Sequence, residues 1–226
     1  MAQRTPADVA VVIPAYFEGQ VIADTVATVL PTFPLVIVVD DGSTDGTSVQ
    51  AAAAGGRVIR HAVNLGQGGA LATGIKAALM LPQVQYIVTY DADGQHRIDD
   101  AAAMVERLRV GDIDVALGNR FAGTEVQAGL AKRLLLKAAV LYTRRDTGLD
   151  LHDTHNGLRA MTRAFAAGLD IQENGMGHAS EILEHIAHTH ARYAEVPVTI
   201  RYTDYSRAKG QPILNAVNIM FDKLLR

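Results

Sequence analysis

The sequence contains no cysteine, which excludes disulfides, thiolate nucleophiles and thiolate-held zinc. It also lacks any run of about 18 apolar residues, because the stretch from Leu134 to Tyr142 is broken by Lys137 and is too short to span a bilayer. Positive charge is not in excess either. The formal net charge of −3 gives no electrostatic footprint for nucleic acid. The first residues, MAQRTPADVAVVIP, hold one arginine and no long apolar run, so no secretory signal is read there. A cytoplasmic location is expected, at most peripheral on the inner face of the cell membrane. With 226 residues, 49% of them hydrophobic and 20% charged, the chain is long enough for one sizeable α/β core.

What is present is a repeating alternation of strand and helix signals. Val9 to Ile13 and Leu35 to Val39 are continuous apolar runs rich in β-branched residues, as expected of strands covered on both faces. Val21, Ile22, Val26, Val29 and Leu30 fall at helical spacing between them. After the second strand, Ser43 or Thr44 suits the cap of a helix ended by Gly55-Gly56. A third strand over 57–61, leading through Asn64-Leu65-Gly66-Gln67-Gly68-Gly69 to a helix that runs to about Met80, and a fourth strand, Tyr86 to Tyr90, complete a βαβαβαβ rhythm. That rhythm predicts a single, mostly parallel, Rossmann-like sheet with helices on both faces. Downstream, a helix is expected over 98–110, a short strand over 114–117, and a short element entered from the polar loop Asp153 to Ala160. A helix follows the Gly175 to Glu181 loop, then a strand over 193–202. The tail over 211–226 reads as an amphipathic helix, suited to the core, to a second copy in a homodimer, or to a membrane surface.

Acidic residues gather behind the strand ends: Glu18, Asp40, Asp41, Asp91 and Asp93. Ligands of open α/β sheets bind outside the carboxyl ends of the strands. In YDADGQH, Asp91 and Asp93 are two apart in extended backbone and present carboxylates to one side. Two such charges about 4 Å apart repel by roughly 4 kcal/mol at an effective dielectric of about 20, which calls for a counter-charge. Mg²⁺ or Mn²⁺ fits, since such ions take one or two carboxylates and complete their shell with water and phosphates. The alternative is that both residues cap a turn, which Gly94 also suits. Gly66-Gln67-Gly68-Gly69 imitates a dinucleotide fingerprint, but Leu71 stands where its third glycine belongs. His185 and His188 do not form an HExxH pair.

The segments VVIPAYFEGQVI, VVDDGSTDGT, NLGQGGALATG, YDADGQH and GNRF, in this order and spacing, resemble glycosyltransferase family 2 with its GT-A fold. They are most similar to the dolichol-phosphate mannosyltransferase and polyprenyl-phosphate glycosyltransferase branch, bacterial members included. The resemblance implies one domain over 1–226, with a nucleotide-binding half to residue 97, an acceptor half over 98–210 and the tail helix. It implies inverting transfer of a sugar from a UDP- or GDP-sugar, with polyprenyl phosphate as acceptor, in cell-surface glycan or glycolipid synthesis.

By the same resemblance Pro14, Ala15, Tyr16, Glu18, Val39, Asp40, Asp41, Asp91 and Ala92 would bind the nucleotide-sugar, and Asp91, Asp93 and Gln95 the metal. Asp93, Arg120, Arg133 and Glu181 would carry catalysis. Arg120, Arg133, Arg201, Arg207 and Lys209 would hold the phosphates. The QxxRW motif of many members that use hydroxyl acceptors is absent, and the chain has no tryptophan. A phosphate acceptor needs cations more than a base. A hydroxyl acceptor would need one, with Glu181 as the candidate. A sugar nucleotidyltransferase would want a glycine-rich basic loop after the first strand, and PAYFEG is neither. A non-catalytic sugar-nucleotide-binding protein is the third alternative, against which intact Asp91 and Asp93 speak.

Overall fold

The computed structural model describes residues 7–122, 143–145, 147–154, 156–201 and 205. In chain order they form β1 (Val9–Ala15), α1 (Ile22–Val29), β2 (Leu35–Asp40), α2 (Thr47–Ala53), β3 (Arg57–Arg60) and α3 (Gly66–Leu79). Then follow β4 (Tyr86–Thr89), α4 (Ile98–Arg109), β5 (Val115–Asn119), β6 (Arg159–Thr162), α5 (Arg163–Gly168), α6 (His178–Thr189) and β7 (Tyr193–Pro197).

Among the described residues the strands make one sheet in the order β3-β2-β1-β4-β6-β5-β7. β1 runs parallel to β2 and β4, β2 to β3, and β5 to β7; only β6 is antiparallel to its neighbours β4 and β5. The fully apolar strands are explained by what covers them. Val9, Val11 and Ile13 pack with Val26 and Val29 of α1 and with Met104 and Leu108 of α4. Ala10 and Val12 point to the other face, with Leu71 and Ile75 of α3, Phe165 of α5 and Ile182 of α6. Side chains alternate along a strand, so a run apolar at every position needs a layer on each side. Gly74 permits the α3 layer to lie close, because a Cβ there would collide with Val12.

Three local expectations are corrected. Ser43 and Thr44 do not cap α2: its N-cap is Gly46 at φ +87°, and Ser43 Oγ instead accepts from the backbone of Phe17 at 2.9 Å. The short element near Met161 is a strand, held between β4 and β5 by Thr89 opposite Arg159 and Leu117 opposite Arg159. The strand expected over 193–202 stops at Pro197. The tail over 211–226 lies outside the described residues.

Candidate active site

The carboxyl ends of β1, β2 and β4 open into a cavity of about 590 Å³. Pro14, Ala15, Tyr16, Glu18, Asp41, Asp91, Ala92, Asp93 and Gln95 all line it. Nine of the residues expected in the site thus converge from three separate strand ends.

Asp91 follows β4 and is held from several sides. His96 Nε2 donates to its Oδ2 at 2.8 Å, and Gln67 Nε2 approaches Oδ1 at 3.4 Å. Gly157 lies against the same carboxylate, where a Cβ would collide with both oxygens. Burial would raise the Asp91 carboxyl, yet the charge and hydrogen bond of His96 and the charge of Arg159 outweigh it and hold the group below the usual carboxylate range. Asp93 goes the other way. Burial, then the charge of Asp91, push its carboxyl up, and Glu18 adds to the shift. Its Oδ1 accepts from the backbone N–H of Gln95 at 3.0 Å.

These residues fit a hard divalent cation. Each carboxylate keeps one oxygen without a short hydrogen bond, and Asp93 stays ionised more easily once a positive charge offsets Asp91. Among the described residues no three His, Cys, Asp or Glu side chains form a cage. A pair of this kind suits Mg²⁺ or Mn²⁺, which rely on one or two carboxylates and on ligand phosphates.

The other acids turn inward. Asp41 accepts from His61 Nδ1 at 2.7 Å and from the backbone N–H groups of Leu65 and Gly66 at 2.8 and 2.7 Å, so it caps the start of α3 while lining the cavity. Asp40 is 1% exposed; its carboxylate accepts from the backbone of Ser43 at 2.9 Å and from the Ser48 hydroxyl. Val39 is buried in the core layer beneath α3. Neither Asp40 nor Val39 lines the cavity.

The residues expected on the acceptor side are spread more widely. Arg120 Nε pairs with buried Asp153 at 2.6 Å. Glu181 accepts from the backbone N–H groups of Gln172 and Glu173, the latter at 2.9 Å, and so fastens the loop before α6. Arg201 is exposed, with its backbone N–H donating to Gln95 O at 2.9 Å. Tyr205 donates to Glu18 at 2.8 Å. Arg133, Arg207 and Lys209 lie outside the described residues.

Of the lining residues that the sequence reading did not place in the site, two are ionisable: Arg159, at the start of β6, and His178, at the start of α6. Burial pushes the Arg159 guanidinium down to about 10, with Asp91 and Asp153 acting against it. Burial and then the charge of Arg159 push His178 down to about 4, and its bond to Gly175 O opposes this. Their faint signal was the polar company of each, in NGLRAMTR and GMGHASE.

The glycines of α3 serve packing. Cβ atoms on Gly66 and Gly68 would collide with the carbonyls of Asn174 and Glu173, and Gly68 N–H donates to Asn174 O at 2.8 Å.

The family model described as glycosyl transferase family 2 matches residues 10–168. An uncharacterised protein of Methanocaldococcus jannaschii is 32% identical over 225 residues, covering 97% of this chain and 92% of that one. A UDP-N-acetylglucosamine–dolichyl-phosphate N-acetylglucosaminyltransferase of Methanococcus voltae is 28% identical, covering 95% of this chain and 94% of its own length. Among solved structures, glucosyl-3-phosphoglycerate synthase of Mycobacterium tuberculosis, in complex with Mn²⁺, UDP-glucose and phosphoglyceric acid, superposes with a TM-score of 0.68 at 22% identity. That match covers 93% of this chain and 75% of the other and speaks for the fold.

Proposed function

The chain belongs to glycosyl transferase family 2, on its polyprenyl-phosphate branch and with the GT-A fold, and from that premise we propose that it transfers a sugar from a nucleotide-sugar to a polyprenyl phosphate. The observation that carries the reading is the Asp91–Asp93 pair at the end of β4, with the Asp93 carboxyl driven up by burial and by its neighbour. Asp91, Asp93 and Gln95 would hold Mg²⁺ or Mn²⁺. When bound, the ion supplies charge neutralisation for the donor's diphosphate and for the nucleoside diphosphate that departs.

The chain's own groups do the rest. Pro14 to Glu18 form the rim on which a nucleoside can lie, and Tyr205 donates to Glu18 across that rim. Glu181 is committed to two backbone N–H groups, and His178 is too weakly basic for a general base at neutral pH. An acceptor that arrives already ionised needs no such base, and a phosphate, with a second pKa near 6, does so. Its anionic oxygen would attack the anomeric carbon from the face opposite the leaving diphosphate, inverting that centre. Arg120, Arg133, Arg201, Arg207 and Lys209 are the cations available to position it.

The setting proposed is cell-surface glycan or glycolipid synthesis on the cytoplasmic face of a membrane. Among the described residues no helix is long and apolar enough to cross one. The test is incubation with undecaprenyl phosphate in vesicles, Mn²⁺ and a panel of radiolabelled UDP- and GDP-sugars. A lipid-linked sugar that disappears with EDTA and persists in Glu181→Gln is expected. Transfer to a sugar hydroxyl instead, lost in Glu181→Gln, would overturn the acceptor assignment.

A further inference from the structure

We propose that Arg159 and His178 form the seat for the hydroxyls of the donor's sugar ring, and that this wall of the cavity sets which sugar is accepted. The inference rests on the functional reading above and adds a subsite to it.

Arg159 lines the cavity yet is only 3% exposed. Among the described residues its guanidinium makes no hydrogen bond and no ion pair, and it is the one lysine or arginine in the described lining. With Asp91 and Asp153 opposing the effect of burial it remains a cation at neutral pH. A buried cation left without partners is costly, so five N–H donors in a fixed fork aimed at a cavity call for oxygen acceptors.

His178 supplies the complement. It is also 3% exposed, and its Nδ1 lies 2.8 Å from Gly175 O. A carbonyl only accepts, so Nδ1 carries the hydrogen. In the neutral ring Nε2 is then a lone-pair acceptor, and no described residue donates to it.

A strong donor beside an acceptor discriminates between ligand chemistries. A phosphate or carboxylate oxygen satisfies Arg159 but has no hydrogen for His178 Nε2 and would face its lone pair. A hydroxyl does both, accepting from the guanidinium and donating to the imidazole. Position agrees with this. Arg159 and His178 sit within electrostatic reach of Asp91, as does the Gln67 amide, whereas Asp93 feels Glu18 on the nucleoside side. A diphosphate held at the two aspartates leaves the sugar on the Asp91 side, against this wall. A site built from hydrogen-bonding groups rejects a ligand that leaves them unpaired far better than an apolar site does.

The test is calorimetric binding, in Mn²⁺, of UDP, GDP, UDP-glucose, UDP-N-acetylglucosamine and GDP-mannose to the full chain. The quantity read is the affinity of each sugar nucleotide divided by that of its nucleoside diphosphate. His178→Asn can keep the bond to Gly175 O while removing Nε2; His178→Gln keeps a polar atom near Nε2 and gives up that bond. For the sugar nucleotide with the largest ratio in the wild type, His178→Asn should lower the ratio about tenfold, with nucleoside diphosphate affinity held within about twofold. His178→Gln should recover much of it, and Arg159→Lys, which keeps the charge but loses the fork, should lower it at least as far as His178→Asn. Equal weakening of sugar nucleotide and nucleoside diphosphate would overturn the inference in favour of a diphosphate seat. An unchanged ratio in all variants, with a wild type that binds, would overturn it alone. A wild type that binds none of the five would overturn the functional reading and this inference with it.

Discussion

Acid should destabilise this protein through His178 in a way that can be isolated. The ring is buried, and burial together with the Arg159 charge lowers its pKa from the ordinary 6.5 to about 4. An unfolded chain takes up that proton near 6.5, while the folded chain resists it down to about 4. Between those values the unfolded state therefore binds more protons, and stability falls as pH falls. The contribution is fully present above the unfolded value and is lost through the window. At 1.36 kcal/mol per pKa unit, the linkage relation gives a loss of roughly 2.4 kcal/mol between about pH 7 and about pH 4.5 from this residue alone. Urea unfolding of the wild type and of His178→Leu across that range separates it from the carboxylates, which titrate in both proteins and, apart from the small part of the Asp91 shift that comes from the His178 charge, cancel in the difference. The variant's profile should be flatter by about 2 kcal/mol. Parallel profiles would show that the imidazole is not held neutral by its surroundings and would refute the reasoning.

Asp93→Asn should keep the fold but lose most of the Mn²⁺-dependent gain in UDP or GDP affinity, since an amide is a much poorer ligand for a hard cation; equal calorimetric affinities with and without Mn²⁺ in the wild type would contradict this. Gly157→Ala places a methyl against the Asp91 carboxylate, so Mn²⁺-supported nucleotide binding should weaken roughly tenfold or more while stability drops by about 1–3 kcal/mol; titration calorimetry and urea midpoints read the two effects separately. Gly68→Ala drives a Cβ into the backbone of Glu173, and a thermal melt should show a loss at the upper end of about 1–3 kcal/mol, with the loop before α6 displaced from α3.

The frame of the fold was legible because its signals are local. Five-residue apolar runs such as Val9 to Ile13, separated by helical spacing, define β1 to β4 and the faces that cover them. The cluster of acids at the strand ends was equally legible. What each acid does was not. Asp40, Asp41, Asp91 and Asp93 look alike as letters, but Asp40 closes the turn after β2, Asp41 caps α3, and Asp91 and Asp93 face the cavity with one oxygen each free of a short hydrogen bond. That division depends on which backbone N–H groups arrive from distant segments. β6 was missed as a strand for a related reason: Arg159-Ala160-Met161-Thr162 has little period of its own and is strand only because β4 and β5 flank it. Arg159 was missed with it. The glycines of α3 had the letters of a phosphate cradle, and only the carbonyls of Glu173 and Asn174 reveal their purpose.

The place of β6 in the sheet has a consequence for how the molecule comes into being. The first four strands pair among themselves, so the half that carries Asp91 and Asp93 can assemble while the ribosome is still working. The far side of β4 then waits for Arg159 opposite Thr89, 70 positions later in the chain. At a synthesis rate of roughly 5–20 residues per second that interval is about 4–14 s. During it the nascent chain holds an unpaired parallel strand edge, the kind that recruits other chains. Asp91 and Asp93 stand at its end before the wall beside them exists. Birth order thus sets a period in which this protein is exposed to aggregation and open to chaperones, and the docking of one four-residue strand ends it.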